Sequence, residues 1–168
     1  TGKKPIEYTR YFDTVSMCFS KGLGAPVGSA VAGTKETIRR VHRSRKMCGG
    51  GMRQAGILAA AALYAIEHNI DRLAEDHANA KRLAEALAEM PGVQVDPASV
   101  ETNIVFFDVE PRIGTAKAVC DALREQHVWM LPVSPQRARA VTHLDVSRQD
   151  IDVAIKTLQG VLKQRAAA

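Results

Sequence analysis

Aromatic residues are scarce: four Phe, three Tyr and one Trp make up 5% of the 168 residues. A protein that stacks bases on aromatic side chains needs more of them. The net charge of +5 therefore reads as a local feature, concentrated between Lys35 and Arg53, and no nucleic-acid partner is expected. Cysteine is rarer still. Cys18, Cys48 and Cys120 are far apart and form no C-x-x-C pair, which argues against a zinc site or a disulfide framework and fits the reducing cytoplasm. His42, His68, His77, His127 and His143 show no metal-ligand spacing, so each is expected to be structural and no metal is expected. Long apolar runs are missing too. The longest, Ile57 to Ile66, falls short of the ~20 residues that span a bilayer, and no signal peptide opens the chain, so no membrane association is expected. The chain starts at Thr1 without a methionine, as expected of a processed or partial chain.

What is present is ordinary globular composition, with 46% hydrophobic and 24% charged residues, in a chain long enough to enclose a core without staples. Thr14 to Phe19 is a short apolar run that predicts a buried strand, and a second strand is expected from Val27 to Ala32. Between them lies the Gly/Pro loop Ser20-Lys21-Gly22-Leu23-Gly24-Ala25-Pro26. Thr34, with Thr37 three positions on, is read as the cap of a basic helix reaching Lys46. After Gly49-Gly50-Gly51 an alanine-rich helix is expected from Met52 to about His68, and another from Ile70 to Met90, stopped by Pro91-Gly92. Strands are then expected over Val93 to Val95, Thr102 to Val109, Val128 to Pro132 and Ala138 to Leu144. Helices are expected over Gly114 to Gln126 and from the Ser147/Asp150 capping box to Gln164. This is an α/β pattern. A composition shift near residues 70 to 80 divides it into a domain over 1–75 and a smaller α/β domain over 76–168.

Three motifs carry chemistry. Lys21 sits at a strand end, where α/β proteins place reactive groups. A lysine that forms a Schiff base must be held in position and must lose its proton, which burial and neighbouring positive charge favour. Gly22 and Gly24 leave room for a planar ligand beside it and permit unusual backbone angles, and the Ser20 hydroxyl could bond a phosphate or a ring hydroxyl. By itself, S-K-G in a Gly/Pro turn is commonplace. The second motif is Gly49-Gly50-Gly51-Met52-Arg53-Gln54. It is read as an anion-binding helix start, with Arg53 in the first turn, where its charge opposes the helix dipole. In the third, Arg139-Ala140-Val141-Thr142-His143, Arg139 has the planar fork that suits an amino-acid carboxylate. Arg137, on the same strand face, is the alternative.

The runs FDTVSMCFSKGLGAPVGSAVAG, RSRKMCGGGMRQAGILAAAALYAI and RARAVTHLDVS, in that order, resemble the C-terminal half of low-specificity L-threonine aldolases, a pyridoxal-phosphate (PLP) family of fold type I. The resemblance implies an aspartate aminotransferase-like fold. Residues 1–75 would close the large PLP-binding domain, and 76–168 would form the small C-terminal domain. It implies cleavage of L-threonine or L-allo-threonine to glycine and acetaldehyde, with related β-hydroxy-α-amino acids tolerated. Lys21 would carry PLP as a Schiff base, with Ser20, Gly22, Gly24 and Arg53 around the cofactor. Arg139 would hold the substrate carboxylate. The aspartate that pairs with the pyridine nitrogen and the ring that stacks on PLP lie upstream in that family, and Asp13 cannot replace that aspartate. The partners implied are a small amino-acid substrate and either a homo-oligomer, dimer or tetramer, or a companion chain carrying the N-terminal half. A β-eliminating lyase and an inactive remnant serving as an interaction module are the other readings.

Overall fold

The computed structural model describes residues 2–167, which divide between Asp71 and Arg72 into two compact units. In the first, a short helix α1 (Pro5–Thr9), not anticipated from sequence, precedes an antiparallel hairpin of β1 (Thr14–Cys18) and β2 (Ser29–Gly33). Strand β2 starts two residues later than expected. Gly28 takes φ 114° and its carbonyl accepts from the Phe19 N–H (2.9 Å), so the turn ends there. Thr34 caps α2 (Lys35–Met47) by accepting from the Thr37 N–H.

The glycine run belongs to the end of α2. Gly49, at φ 80°, donates to the Lys46 carbonyl and Gly50 to that of Arg45. This paired closure satisfies carbonyls that the last helical turn leaves open. The next helix, α3 (Gly56–His68), begins four residues later than expected, because Gln54 at φ 53° lies in the left-handed region and cannot propagate an α-helix.

Helix α3 is apolar almost all round, yet of its residues only Ala65 is buried; Ile57 is 81% and Leu63 55% exposed. A helix of that composition is normally enclosed on every side. The first unit buries little else apart from Leu23 and Ala25, and so does not enclose a core of its own.

The second unit does. Helix α4 (Leu73–Ala88) leads into a four-stranded antiparallel sheet built from β3 (Val93–Gln94), β4 (Ile104–Val109), β5 (Leu131–Pro132) and β6 (Arg137–Val141), in the order β3-β4-β6-β5. Helix α5 (Ala116–Glu125), capped by Thr115, precedes β5, and α6 (Arg148–Ala166) ends the chain. The Ser147/Asp150 capping box forms in both directions, Asp150 serving despite its short side chain. The short outer strands are trimmed relative to the expected runs, as edge positions often are.

Alternation sorts the sheet into two faces. Val105, Phe107, Val109, Ala138 and Ala140 point inward against Leu83, Leu87, Leu123, Leu158 and Val161 of the three helices. The other face carries Ile104, Phe106, Asp108, Arg137, Arg139 and Val141. A buried polar bond fastens this layer to α4, and an ion pair braces the start of that helix. The Thr142 hydroxyl donates to the Asp76 carbonyl (2.7 Å), and Arg72 makes a two-pronged pair with the fully buried Asp76 carboxylate.

Adjacent phenylalanines test the alternation. Phe107→Ala should cost ~3–5 kcal/mol through the cavity it leaves. Phe106→Ala, on the open face, should cost under about 1 kcal/mol. Denaturant unfolding of both variants measures the contrast.

Candidate functional site

Lys21 follows β1 by three residues, at the start of a turn that is closed by its own carbonyl accepting from the Gly24 N–H (2.8 Å). The loop is further tied by Ala25 N–H to the Phe19 carbonyl (3.0 Å) and by the Asn69 side-chain amide donating to the Leu23 carbonyl (2.7 Å). Leu23 and Ala25 are buried, while Ser20 and Lys21 are exposed. The loop thus plants its apolar side chains and presents the amine outward. Gly24 takes φ 73°, which a residue with a Cβ resists. Gly22 stays outside that region, so of the two only Gly24 needs glycine for its backbone angles. The burial expected around a nucleophilic lysine is not supplied by the residues of this unit.

Arg53 lies three residues before α3, in a bend and exposed. It is not in the first helical turn, so the dipole argument for it does not apply. It forms no ion pair among the described residues, and neither does Lys21. The triple glycine draws Met52 back along α2, leaving an open groove lined by His42, Arg43, Arg45, Lys46, Gly51 and Met52. Neither this groove nor the one lined by Phe12 and residues of β1 and β2 is lined by Lys21 or Arg53.

The two arginines of the second unit are distinguished by their partners. Arg137 stands opposite Asp108 across β4–β6 and bonds it twice, Nε to Oδ1 (2.8 Å) and a terminal nitrogen to Oδ2 (2.6 Å). Those bonds hold the Asp108 carboxyl below the usual carboxylate range. Arg139 stands opposite Phe106 on one side and Leu131 on the other, is half-buried, and has a buried Nε with no hydrogen-bond partner. An unmet buried donor on a charged group is costly and rare.

Asn69, Phe106 and Asp108 were not singled out from sequence. Asn69 reads there only as a residue between two helices. The other two acquire meaning only once β4 and β6 are in register. His68 stacks on Tyr64 (4.1 Å between centroids) and lies within hydrogen-bond distance of its carbonyl (2.9 Å), and His143 Nδ1 stands 3.6 Å from the Asp145 carboxylate. Cys18, Cys48 and Cys120 are free. Among the described residues no cluster of three His, Cys, Asp or Glu could hold a metal, and no helix is long and apolar enough to cross a membrane.

The family model described as "Beta-eliminating lyase" matches residues 1–110. The chain belongs to this family. Among curated members of known name it is 46% identical over 147 residues to the low specificity L-threonine aldolase of Escherichia coli K12, covering 86% of this chain and 41% of that protein. It is 42% identical over 148 residues to low-specificity L-threonine aldolase 1 of Arabidopsis thaliana, covering 88% and 41%. The chain therefore spans less than half the length of these relatives. A crystal structure described as an L-allo-threonine aldolase from Listeria monocytogenes superposes with TM-score 0.74 at 19% identity, over 95% of this chain and 47% of that one. The expected resemblance to the C-terminal half of the threonine aldolases holds, and so does the α/β, aspartate aminotransferase-like architecture of fold type I.

The Arg137–Asp108 pair has a pH signature. Because Asp108 is depressed in the folded chain, its contribution to stability is complete above the ordinary carboxyl value of ~3.9 and fades as pH falls through the lower folded value. Asp108→Asn should therefore be less stable than the parent at neutral pH, with the gap closing below about pH 4; urea midpoints across pH report it.

Proposed function

We propose that this chain is the C-terminal half of a PLP-dependent aldolase that cleaves L-threonine, L-allo-threonine and related β-hydroxy-α-amino acids to glycine and an aldehyde. The observation that carries this reading is the half-buried Arg139 guanidinium, whose Nε meets no acceptor, in a chain so close to proteins named threonine aldolase. In this reading residues 1–75 complete the cofactor-binding domain and 76–168 form the small domain.

The donor set fits the cofactor. An exposed primary amine without an ionic partner suits an aldehyde, and an unpaired guanidinium beside a glycine-rich bend suits a phosphate. Lys21 Nζ is the nucleophile that would hold PLP. Ser20, the amides around Gly22 and Gly24, and Arg53 would surround it, Arg53 acting within its own site or in that of a neighbouring subunit. Once bound, PLP supplies an electron sink for the carbon left when Cα–Cβ breaks. Arg139 grips the substrate carboxylate with two parallel N–H groups and so orients that bond. Arg137 cannot substitute, because its fork is already committed to Asp108.

Burial of Lys21 and cover for α3 fall to the rest of the intact protein, either further residues of the same polypeptide or a companion chain, assembled as a dimer or tetramer. Three free cysteines suit a cytoplasmic setting. The family's description leaves β-elimination as a second reaction type.

Borohydride reduction of the intact protein with PLP, followed by peptide mass spectrometry, should place a pyridoxyl group on Lys21, and none in Lys21→Ala. With threonine, equal amounts of glycine and acetaldehyde are expected. Ammonia with a 2-oxo acid would identify an eliminating lyase instead, and an unlabelled Lys21 with no turnover would leave a remnant. Arg139→Ala should raise KM for threonine roughly 100-fold, the usual cost of removing a charged partner from a buried carboxylate. Arg137→Ala should change it less than about threefold, as for an exposed pair.

A further inference from the structure

We propose that Asn69 is a positioning residue for Lys21, acting through the Leu23 carbonyl; this rests on reading Lys21 as the cofactor lysine. Three of the four bonds that shape the lysine loop are local and join residues 19 to 28 to one another: Phe19 N–H to the Gly28 carbonyl, Gly24 N–H to that of Lys21, and Ala25 N–H to that of Phe19. They fix the loop's shape but not its location. The fourth comes from 46 residues away. Asn69 Nδ2 donates to the Leu23 carbonyl at 2.7 Å, in a partly buried setting.

Asn69 is itself held at the end of α3, where its own N–H donates to the Ala65 carbonyl (2.9 Å). Ala65 is the buried residue of that helix. The chain of contacts therefore runs from the anchored turn of α3, through one amide, to the middle of the Lys21–Gly24 turn. A lysine carries its amine at the end of a four-carbon stem, so a small rotation of the turn displaces Nζ by more than the turn itself moves. Displacements of about 1 Å from a reactive geometry are costly to rate. A backbone acceptor inside a turn accepts only from a donor, which specifies the amide nitrogen and excludes a carboxylate of the same shape.

The test uses the intact protein, with Asn69→Ala and the near-isosteric Asn69→Asp compared with the parent and with Lys21→Ala. Amide hydrogen exchange at Gly24 and Ala25 should accelerate about 10-fold in both Asn69 variants, as expected for a lost, partly buried bond, and stay at the parent rate in Lys21→Ala. PLP capture, followed by the growth of its visible imine absorbance, should slow about 10-fold in both Asn69 variants. KM for threonine should stay at the parent value in Asn69→Asp, with the melting temperature lowered by only about a few degrees, as for one lost hydrogen bond. Parent capture on Lys21 combined with unchanged exchange and capture in Asn69→Asp would overturn the positioning role while leaving the Lys21 reading intact. If Asn69→Asp slowed capture only in step with a lowered melting temperature and a raised KM, the residue would be merely structural and the proposal would fail. Absence of capture in the parent would instead sink the Lys21 reading, and this proposal with it.

Discussion

The pairing of β4 with β6 governs what the second unit can do. Antiparallel register sets Phe107 opposite Ala138 on the inner face, and Phe106 opposite Arg139 and Asp108 opposite Arg137 on the outer one. Because side chains alternate strictly, a slip of one residue would turn the core-forming set outward and bury two arginines. The hydrophobic pattern forbids that slip, and the choice of which arginine stays free follows from it. Arg137 finds a carboxylate across the strand. Arg139 finds an aromatic ring and a leucine, neither of which accepts a hydrogen bond, so its Nε is left without a partner.

The ladder is also pinned at its end. Asn103 and Thr142 exchange bonds just beyond the last paired residues, with Thr142 N–H to the Asn103 carbonyl at 3.0 Å and the Asn103 amide to the Thr142 carbonyl at 2.8 Å. The Thr142 hydroxyl then reaches α4 through Asp76. The threonine of the R-A-V-T-H motif is thereby explained as an anchor for the strand that presents Arg139. Support of this kind holds the strand, and the side chains it carries, in one place.

The first unit is built on the opposite principle. Its loops are well tied by hydrogen bonds, yet its longest apolar helix lies open on nearly every side. Hydrogen bonds give such a unit shape, but burial is what stabilises one. The spacing of Lys21, the glycine bend and Arg53 is encoded locally, whereas the enclosure a reactive lysine requires is not. That division agrees with a chain spanning less than half of its curated relatives.

Much of this was legible in the residues themselves. Periodicity located the main helices, and short apolar runs located both strands of the lysine hairpin, although β1, expected to be buried, is almost wholly exposed because the first unit has no core to cover it. The capping residues Thr34 and Ser147 act where their spacing placed them. The ordered motifs pointed to the family. Sequence misjudged the start of α3, which the left-handed backbone of Gln54 delays, and the backbone need at Gly22, because composition says that a loop is glycine-rich but not which glycine takes the positive φ. By itself the sequence determined which residue types were available to bind an aldehyde, a phosphate and a carboxylate. Only the tertiary structure decided which arginine remains unpaired and which distant amide holds the lysine loop, because both depend on partners 29 and 46 residues away that no local pattern brings together.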